Sequence, residues 1–409
     1  MKAISIKLRF KKITLIELVL SLCFFSFYLP NQESVSGKVY TIWRLACLLA
    51  TACAVLIYIV KCHNKISLKY ISIVLFFTYI YIGTSILTPG GHFPKFTFLC
   101  VIGFITLLEV SFQTFPKKVV IRSYLKAGIA ASIVYFITFI KYFNVDGGMH
   151  SGLMVKTGYG MVETHQNWYI FTYDNASVFI LLPIAAALLY YCYNYQKKAT
   201  KVYIGYIVLI LFMYISKMAV AAMISFVLFV ALTWYYFRMY NKNKRIKLKL
   251  TYLNVLAMGL LLYIVVISFV GSDLSYTISG FFGKDGTFTG RDVIWANAIK
   301  YIVKYPVFGN GLESETVRYA KIMMGQCHNI LLEILYDGGL IGIILLVFAV
   351  YQFKPKKSNT YSAYIFSICL FCYIIAAGFD AKLGFPYPIA ILYFSYYLED
   401  KPRILKKLT

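Results

Sequence analysis

Long apolar runs with almost no charge are the feature that most constrains this chain. A helix needs about 20 mainly apolar residues to cross the core of a bilayer. Such runs predict transmembrane helices near 13–30, 39–60, 70–88, 95–114, 127–143, 175–193, 202–215, 218–236, 252–271, 330–351, 361–379 and 385–398. Only 14% of the 409 residues are charged, against about a quarter in soluble domains. The composition therefore argues against a soluble enzyme.

We predict an all-α polytopic integral membrane protein with about 12 transmembrane helices, forming a single transmembrane domain over residues 1–409. Segment 202–236 is predicted as a hairpin, because one helix of that length would extend about 52 Å. Two connections exceed a simple turn, a smaller one at 144–174 and a larger one at 272–329. Connections beyond about 15 residues are uncommon unless they are functional or disordered.

The net charge of +25 follows this topology. Basic residues concentrate in seven segments, 1–12, 61–69, 115–126, 194–201, 237–251, 352–360 and 399–409. These segments hold 28 of the 41 Lys and Arg residues, and their only acids are Glu399 and Asp400. Because basic loops remain in the cytoplasm, both termini are predicted to be cytoplasmic and both long connections external. A nucleic-acid partner is not expected, since nucleic-acid binders do not consist of long uncharged runs.

The larger external connection contains a predicted amphipathic helix. Apolar positions 294, 295, 298, 299 and 302 share one helical face, and Pro306 ends the run. We expect this helix to lie on the membrane surface with Trp295 as an interfacial anchor. Arg291 lies beside its N-terminus, where backbone N–H groups and the helix dipole favour a phosphate or pyrophosphate. Pairing with an acid or with lipid headgroups is the alternative for Arg291.

Two more polar elements follow the amphipathic helix. Phe308-Gly309-Asn310-Gly311 predicts a tight turn, because glycine permits positive φ. Arg318 and Lys321 then lie about one helical turn apart.

Cys327-His328-Asn329 leads directly into the predicted span 330–351. The positive end of a helix dipole favours a neutral imidazole, which can accept a proton. A capping or interfacial histidine without chemistry is the alternative.

The stretch from Gly290 to Gly342 resembles the signature region of the O-antigen polymerase/ligase family, the Wzy-like proteins. The matching elements are Gly290-Arg291, Trp295, Pro306, Gly309-Asn310-Gly311, His328-Asn329 and Gly339-Leu340-Ile341-Gly342. Nine residues separate Asn329 from Gly339, as in the ligase branch of the family, and Asp337 stands where the family often has Glu.

The chain departs from the family pattern at two places. Ser216-Lys217 replaces the usual Ser-Arg pair, and lysine lacks the bidentate fork that grips phosphate oxygens. The family's smaller loop often carries an Arg before an Asn that opens the following span. Here Asp174-Asn175 opens that span, but the loop contains no Arg. Its candidate cations are Lys156, His150 and His165.

The resemblance implies a GT-C-like fold and a glycosyltransferase on the outer face of the bacterial cytoplasmic membrane, in capsule or O-antigen synthesis. The donor would be an undecaprenyl-diphosphate-linked oligosaccharide, and the acceptor a hydroxyl of a second lipid-linked repeat unit. A metal-independent, inverting reaction with no cofactor is implied. A flippase and a chain-length co-polymerase are the further partners implied.

The resemblance also assigns roles to individual residues. His328 is the candidate base for the acceptor hydroxyl, and Arg291 the candidate clamp for the departing diphosphate. Further candidate substrate-binding residues are Lys217, Arg318, Asn329, Trp295, Gly309 and Gly311. Separately, we predict that Arg44 forms an ion pair with Glu109 or Glu17, because unpaired charges within spans are expensive.

Three alternatives stay open on the sequence. A ligase would transfer finished glycan to another acceptor, and it shares the His-Asn spacing. A flippase or transporter of the same lipid would typically show internal repeats and broken helices, and the sequence indicates neither. A non-catalytic assembly scaffold would make His328 dispensable.

Overall fold

The computed structural model describes residues 15–28, 30, 35–62, 67–88, 91–141, 154–157, 160–163, 174–216, 220–241, 250–269, 290–357, 360–379 and 387–400. Its helices are α1 (Leu15–Ser26), α2 (Gly37–Cys62), α3 (Leu68–Leu87), α4 (Lys95–Thr114), α5 (Lys117–Lys141), α6 (Asp174–Asn194), α7 (Thr200–Ser216), α8 (Val220–Asn241), α9 (Tyr252–Phe269), α10 (Arg291–Lys304), α11 (Glu315–Ile322), α12 (Ile330–Gln352), α13 (Tyr361–Ala377) and α14 (Ile389–Tyr397). The structure is helical as predicted, and it also contains a short antiparallel hairpin of β1 (Met154–Thr157) and β2 (Gly160–Glu163).

Apolar helices lie where the sequence predicts spans. Among the described residues, eight helical stretches are long and apolar enough to cross a membrane. They are Gly37–Cys62, Leu68–Leu87, Lys95–Thr114, Lys117–Lys141, Ser177–Asn194, Lys197–Ser216, Val220–Tyr240 and Ile330–Gln352. Helices α1, α9 and α13 are apolar but shorter, and α14 has nine residues. The chain is a multi-pass helical membrane protein, and the predicted twelve spans exceed the eight that meet this criterion.

Two predicted boundaries have different outcomes. The segment 202–236 forms two helices, α7 and α8, as the length argument predicts. Helix α5 begins at Lys117, ten residues before the predicted start, so most of the predicted loop 115–126 is helical. The early start brings Arg122 and Lys126 of α5 against Glu17 of α1.

The predicted ion pair of Arg44 is wrong. The Arg44 guanidinium lies over the ring of Phe96, 4.2 Å from its centroid. Both predicted acids have other partners. Glu17 pairs with Arg122 (2.8 Å) and Lys126 (2.9 Å), and Glu109 accepts hydrogen bonds from Ser67 (2.7 Å) and Gln113 (2.5 Å). A cation–π contact therefore takes the place of the predicted salt bridge.

Helix α12 is broken at Gly339, whose φ of 59° and ψ of −156° are not helical. The segment 306–311 lies along the break and supplies its missing hydrogen bonds. The bonds run from Asn310 N to Tyr336 O (2.6 Å), Gly311 N to Asp337 O (3.0 Å), Leu340 N to Pro306 O (2.9 Å) and Ile341 N to Val307 O (3.2 Å). Because buried backbone groups need partners, this loop completes the helix. The expectation that the chain has no broken helix is wrong.

Helix α10 packs against α11 and α12, and α12 packs against α3. A small buried cluster joins the first three of these helices, formed by Ile294, Trp295, Ala298, Ile322, Cys327, Leu332 and Tyr336. The signature residues are therefore collected at the N-terminal half of α12.

Candidate functional site

Helix α10 begins at Arg291, directly after Gly290. Gly290 has a φ of 78°, a conformation that glycine adopts without steric cost. Asp292 lies in the first turn, where an acid is stabilised by the helix dipole. Arg291 is half-buried at this N-terminus. The helix predicted after the Gly-Arg pair is confirmed.

Trp295 is buried, with 2% of its surface exposed. Its indole Nε1 donates a hydrogen bond of 2.8 Å to the carbonyl oxygen of Cys327. The prediction that Trp295 anchors the helix at the membrane interface is wrong, because the indole faces the protein. Its position fixes α10 against the loop before α12.

Cys327 is held at both of its peptide groups. Its carbonyl accepts from Trp295, and its N–H donates to Glu333 Oε2 at 2.7 Å. Burial raises the pKa of the Cys327 thiol well above its ordinary value, and the Glu333 carboxylate raises it further. The thiol is therefore a packed, protonated group, and the backbone of Cys327 is a fixed support for the next residue.

His328, the next residue, adopts a φ of 51°. Left-handed backbone costs a non-glycine residue roughly 1–2 kcal/mol and persists where the surroundings enforce it. The imidazole is partly exposed, and its Nδ1 lies 3.2 Å from the side-chain nitrogen of Gln326. The ring that the sequence singles out is thus reachable and oriented by a neighbour.

Asn329 caps helix α12. Its Oδ1 accepts from the N–H groups of Leu331 (3.0 Å) and Leu332 (3.2 Å), and its Nδ2 donates to the Gly378 carbonyl (3.1 Å). The side chain is fully buried. An N-cap of this kind contributes about 1 kcal/mol. The side chain of Asn329 is therefore used for the cap and for the contact with Gly378.

Arg318 reaches from α11 to two carboxylates on α12. Its Nη2 lies 2.9 Å from Glu333 Oε1 and 3.3 Å from Asp337 Oδ1. Burial alone would lower the pKa of Arg318, but these carboxylates outweigh it and raise the pKa above its ordinary value. The guanidinium is 5% exposed. Its charge is used inside the protein, which favours a structural role over the predicted one in binding.

The Gly309-Asn310-Gly311 turn packs against the break in α12. Both glycines have a φ near 78°. A Cβ on Gly309 would lie 2.5 Å from the Asp337 carbonyl oxygen, and one on Gly311 would lie 2.0 Å from Thr88 Oγ1. The predicted tight turn is confirmed. The structural demand on Gly309 is the close approach of two main chains, and the demand on Gly311 is the close approach of the Thr88 side chain.

Comparison with known protein families identifies this region. A family model described as O-antigen ligase matches residues 202–347. Over these residues the chain is similar to the O-antigen ligase family. The match begins in α7 and ends in α12, so it includes Arg291, His328 and the break at Gly339. It confirms the predicted O-antigen polymerase/ligase family, although it covers about a third of the chain. A search of curated proteins found no match.

The family match and the apolar helices together support a membrane enzyme of the O-antigen ligase/polymerase type. Several predicted residues lie outside the described part of the chain or have no described side chain. Lys217, His150 and His165 are in the first group, and Lys156, in β1, is in the second.

Sequence reasoning missed the residues that support His328. Glu333 and Asp337 lie four residues apart, so they share one face of an otherwise apolar helix. Acids in such a helix usually face a partner. That signal, with Arg318 upstream, indicates the buried ion cluster. Nothing in the sequence pattern distinguishes Gln326 as the neighbour of the imidazole.

Proposed function

We propose that the protein is a polysaccharide repeat-unit polymerase of the bacterial cytoplasmic membrane. On the outer face, a hydroxyl of one lipid-linked repeat unit attacks the anomeric carbon of the donor glycan. A new glycosidic bond forms and the bond from that carbon to the diphosphate breaks. The hydroxyl proton passes to a base of the protein, and undecaprenyl diphosphate leaves. Attack opposite the leaving group inverts the anomeric centre.

The hydrogen bond between Trp295 and Cys327 is the observation that carries this proposal. Arg291 lies four residues before Trp295, so it projects from the same side of α10 one turn nearer the N-terminus. His328 directly follows Cys327. The 2.8 Å bond therefore supports a single reaction centre bordered by Arg291 and His328.

His328 is the proposed base. A proton acceptor at Nε2 requires the other ring nitrogen, Nδ1, to carry a proton. Gln326, 3.2 Å away, supports that tautomer when its side-chain oxygen faces Nδ1. An amide can present either end to the ring. Gln326 is therefore the proposed positioning residue for the proton.

Arg291 is the proposed diphosphate clamp. A guanidinium can bind two phosphate oxygens at once, and the N-terminus of α10 adds N–H groups and a favourable dipole. Lys217, which follows the last residue of α7, is the proposed auxiliary cation. Because the lipid diphosphate is already an activated leaving group, the proposed reaction needs no nucleotide, and the family resemblance implies that it is metal-independent.

The first test replaces His328 by Ala in the native host. His92→Ala is the matched control, since His92 is exposed and lies beyond α3. With equal membrane levels, we expect the polysaccharide ladder to collapse to a single repeat unit in His328→Ala and to stay normal in His92→Ala. A normal ladder in both would remove His328 as the base and reopen the scaffold and transporter functions.

Arg291 needs a test of its own. Arg291→Ala should lower turnover by at least tenfold, and Arg291→Lys should recover only part of it, because lysine keeps the charge and loses the fork. Turnover of purified protein on a lipid-linked repeat unit is the measurement. Full activity in Arg291→Ala would exclude the clamp.

Two other functions have specific support. The break in α12 favours a transporter, since broken helices line the sites of many transporters. In this chain the loop 306–311 fills the break, which supports the enzyme more strongly. Transbilayer movement of a fluorescent lipid-linked sugar by purified protein would favour the transporter.

The O-antigen ligase match favours transfer to another acceptor, and product formed only with such an acceptor would favour the ligase.

A further inference from the structure

A second candidate site lies at the opposite end of α10 from Arg291. An open cavity of 420 Å³ is bordered by the turn after α10, the last residues of α3 and the segment around α11. Neither Arg291 nor His328 lines it. Its size falls in the range of small-molecule sites, about 300–1,000 Å³.

An ion pair forms one wall of this cavity. Glu313 pairs with Lys321, and its second oxygen accepts a hydrogen bond from the Tyr336 hydroxyl at 2.9 Å. The Glu313 side chain is 3% exposed, whereas that of Lys321 is 26% exposed. Lys321 Nζ also lies 5.2 Å from the ring centroid of Tyr301. The ammonium is therefore held in place and presented to the cavity.

Exposed aromatic rings form another wall. Tyr305 is 44% exposed and Phe308 is 48% exposed. The ammonium of Lys304 lies 5.2 Å from the centroid of the Tyr305 ring. Tyr305 follows the last residue of α10, and Phe308 directly precedes Gly309. Large apolar rings with this exposure beside fixed polar groups are typical of a ligand site.

These walls fit a carbohydrate. The C–H face of a pyranose packs on an aromatic ring, and its hydroxyls bond to ammonium and carboxylate groups. A lipid tail would cover the exposed ammonium of Lys304 without giving it a polar partner, which is unfavourable. A free phosphate would meet the Glu313 carboxylate beside the lysines. A sugar uses both the aromatic and the charged walls.

We infer that this cavity is a sugar-binding subsite for a part of the glycan remote from the reacting bond. Arg291 and Lys304 are the first and last residues of α10, so about 20 Å of helix separates the two ends at 1.5 Å per residue. The relation of this subsite to the diphosphate rests on the proposed function. It would bind the glycan several sugars from the lipid, and so select repeat units by their distal sugars.

Binding of sugar without lipid tests this inference. The probe is a set of oligosaccharides released from the host's own surface polysaccharide by partial acid hydrolysis. The protein is the full chain in lipid nanodiscs, and saturation-transfer NMR with titration gives the Kd. We expect Tyr305→Ala and Lys304→Ala each to raise the Kd at least tenfold. Tyr351→Ala is the control, because Tyr351 is also an exposed tyrosine (43%) and lies near the far end of α12.

The possible results are decisive for the subsite. The subsite is overturned if the unaltered protein does not bind. It is also overturned if Tyr305→Ala and Lys304→Ala both bind as tightly as the unaltered protein. His328→Ala should bind the oligosaccharides as well as the unaltered protein does. If His328→Ala polymerises normally while Tyr305→Ala still loses binding, the proposed catalytic role of His328 fails and the subsite stands. If His328→Ala is inactive and Tyr305→Ala binds normally, the subsite alone fails.

Discussion

Trp295 and Cys327 are joined by a hydrogen bond of 2.8 Å from the indole N–H to the backbone carbonyl, across 32 positions of the sequence. The bond ties the helix that begins with Arg291 to the loop that ends with His328. A signature tryptophan that looks like a membrane anchor in the sequence is thus an internal support of the candidate site.

Replacing Trp295 by Phe should lower turnover about tenfold. Phe fills most of the space but removes the donor, and an unsatisfied buried carbonyl costs about 1–3 kcal/mol. Turnover on a lipid-linked repeat unit is the measurement. Trp234→Phe is the control, since that indole is 60% exposed. Equal turnover for Trp295→Phe and the unaltered protein would separate the bond from catalysis.

The backbone of His328 leads to a prediction about stability. His328→Gly should have a larger free energy of unfolding than His328→Ala, by about 1 kcal/mol, because glycine tolerates positive φ. Both variants should be inactive in polymerisation. Chemical denaturation in detergent measures the difference. A more stable His328→Ala would show that the left-handed conformation at this position is not maintained.

Gly309 and Gly290 form a natural comparison. Both have positive φ, but a Cβ on Gly309 would lie 2.5 Å from the Asp337 carbonyl oxygen, while a Cβ on Gly290 would meet nothing within 4 Å. Gly290→Ala should therefore lose only the backbone preference, about 1–2 kcal/mol. Gly309→Ala should lose clearly more, because two main chains must separate. Thermal unfolding of both variants tests the difference, and equal shifts would contradict the close packing.

The thiol of Cys327 predicts a pH dependence. Its pKa is raised by burial above the ordinary value of 9.0, which is the value expected in the unfolded chain. The protonated thiol is therefore compatible with folding below pH 9, and the folded state loses stability as pH rises above 9. The free energy of unfolding should be less pH-dependent above pH 9 in Cys327→Ala. An unchanged slope there would rule out the thiol as the cause.

The same thiol should resist alkylation. N-ethylmaleimide reacts with the thiolate, so the peptide containing Cys327 should remain unlabelled in the native protein at neutral pH. It should be labelled after unfolding in dodecyl sulfate, which is the control. Mass spectrometry of the digested protein measures both. Rapid labelling of the native protein would contradict the burial of Cys327.

Much of the architecture is predictable because the length and polarity of apolar runs dominate where membrane helices form. The signature elements recognised in the sequence lie together in the structure, since the Gly-Arg helix, the Gly-x-Gly turn and the His-Asn cap all meet α12. The predictions that were wrong concern the groups that individual side chains contact. The apolar face of α10 has the same periodicity whether it faces lipid or protein, so Trp295 was assigned to the membrane surface. Periodicity likewise does not indicate that Arg44 packs on the ring of Phe96.

The broken helix escaped prediction for a different reason. Residues 330–352 have the composition of an uninterrupted span, and the glycines inside it resemble a family motif more than a break. The conformation of Gly339 depends on a segment some 30 residues earlier, through hydrogen bonds that any residue type except proline can make. Such a relationship leaves no periodic trace in the sequence.

The main-chain contact between residues 306–311 and α12 determines how this site would respond to a systematic alanine scan. Side-chain truncation leaves the N–H and C=O groups of the loop in place, so most positions of the segment would score as tolerant. For stability, Gly309 and Gly311 would stand out, because an added methyl group meets neighbouring atoms, and so would the buried Asn310, whose side chain donates to main-chain carbonyls. A deletion of one residue in the same segment would shift the register of every bond. The loop is therefore constrained in length far more than in composition.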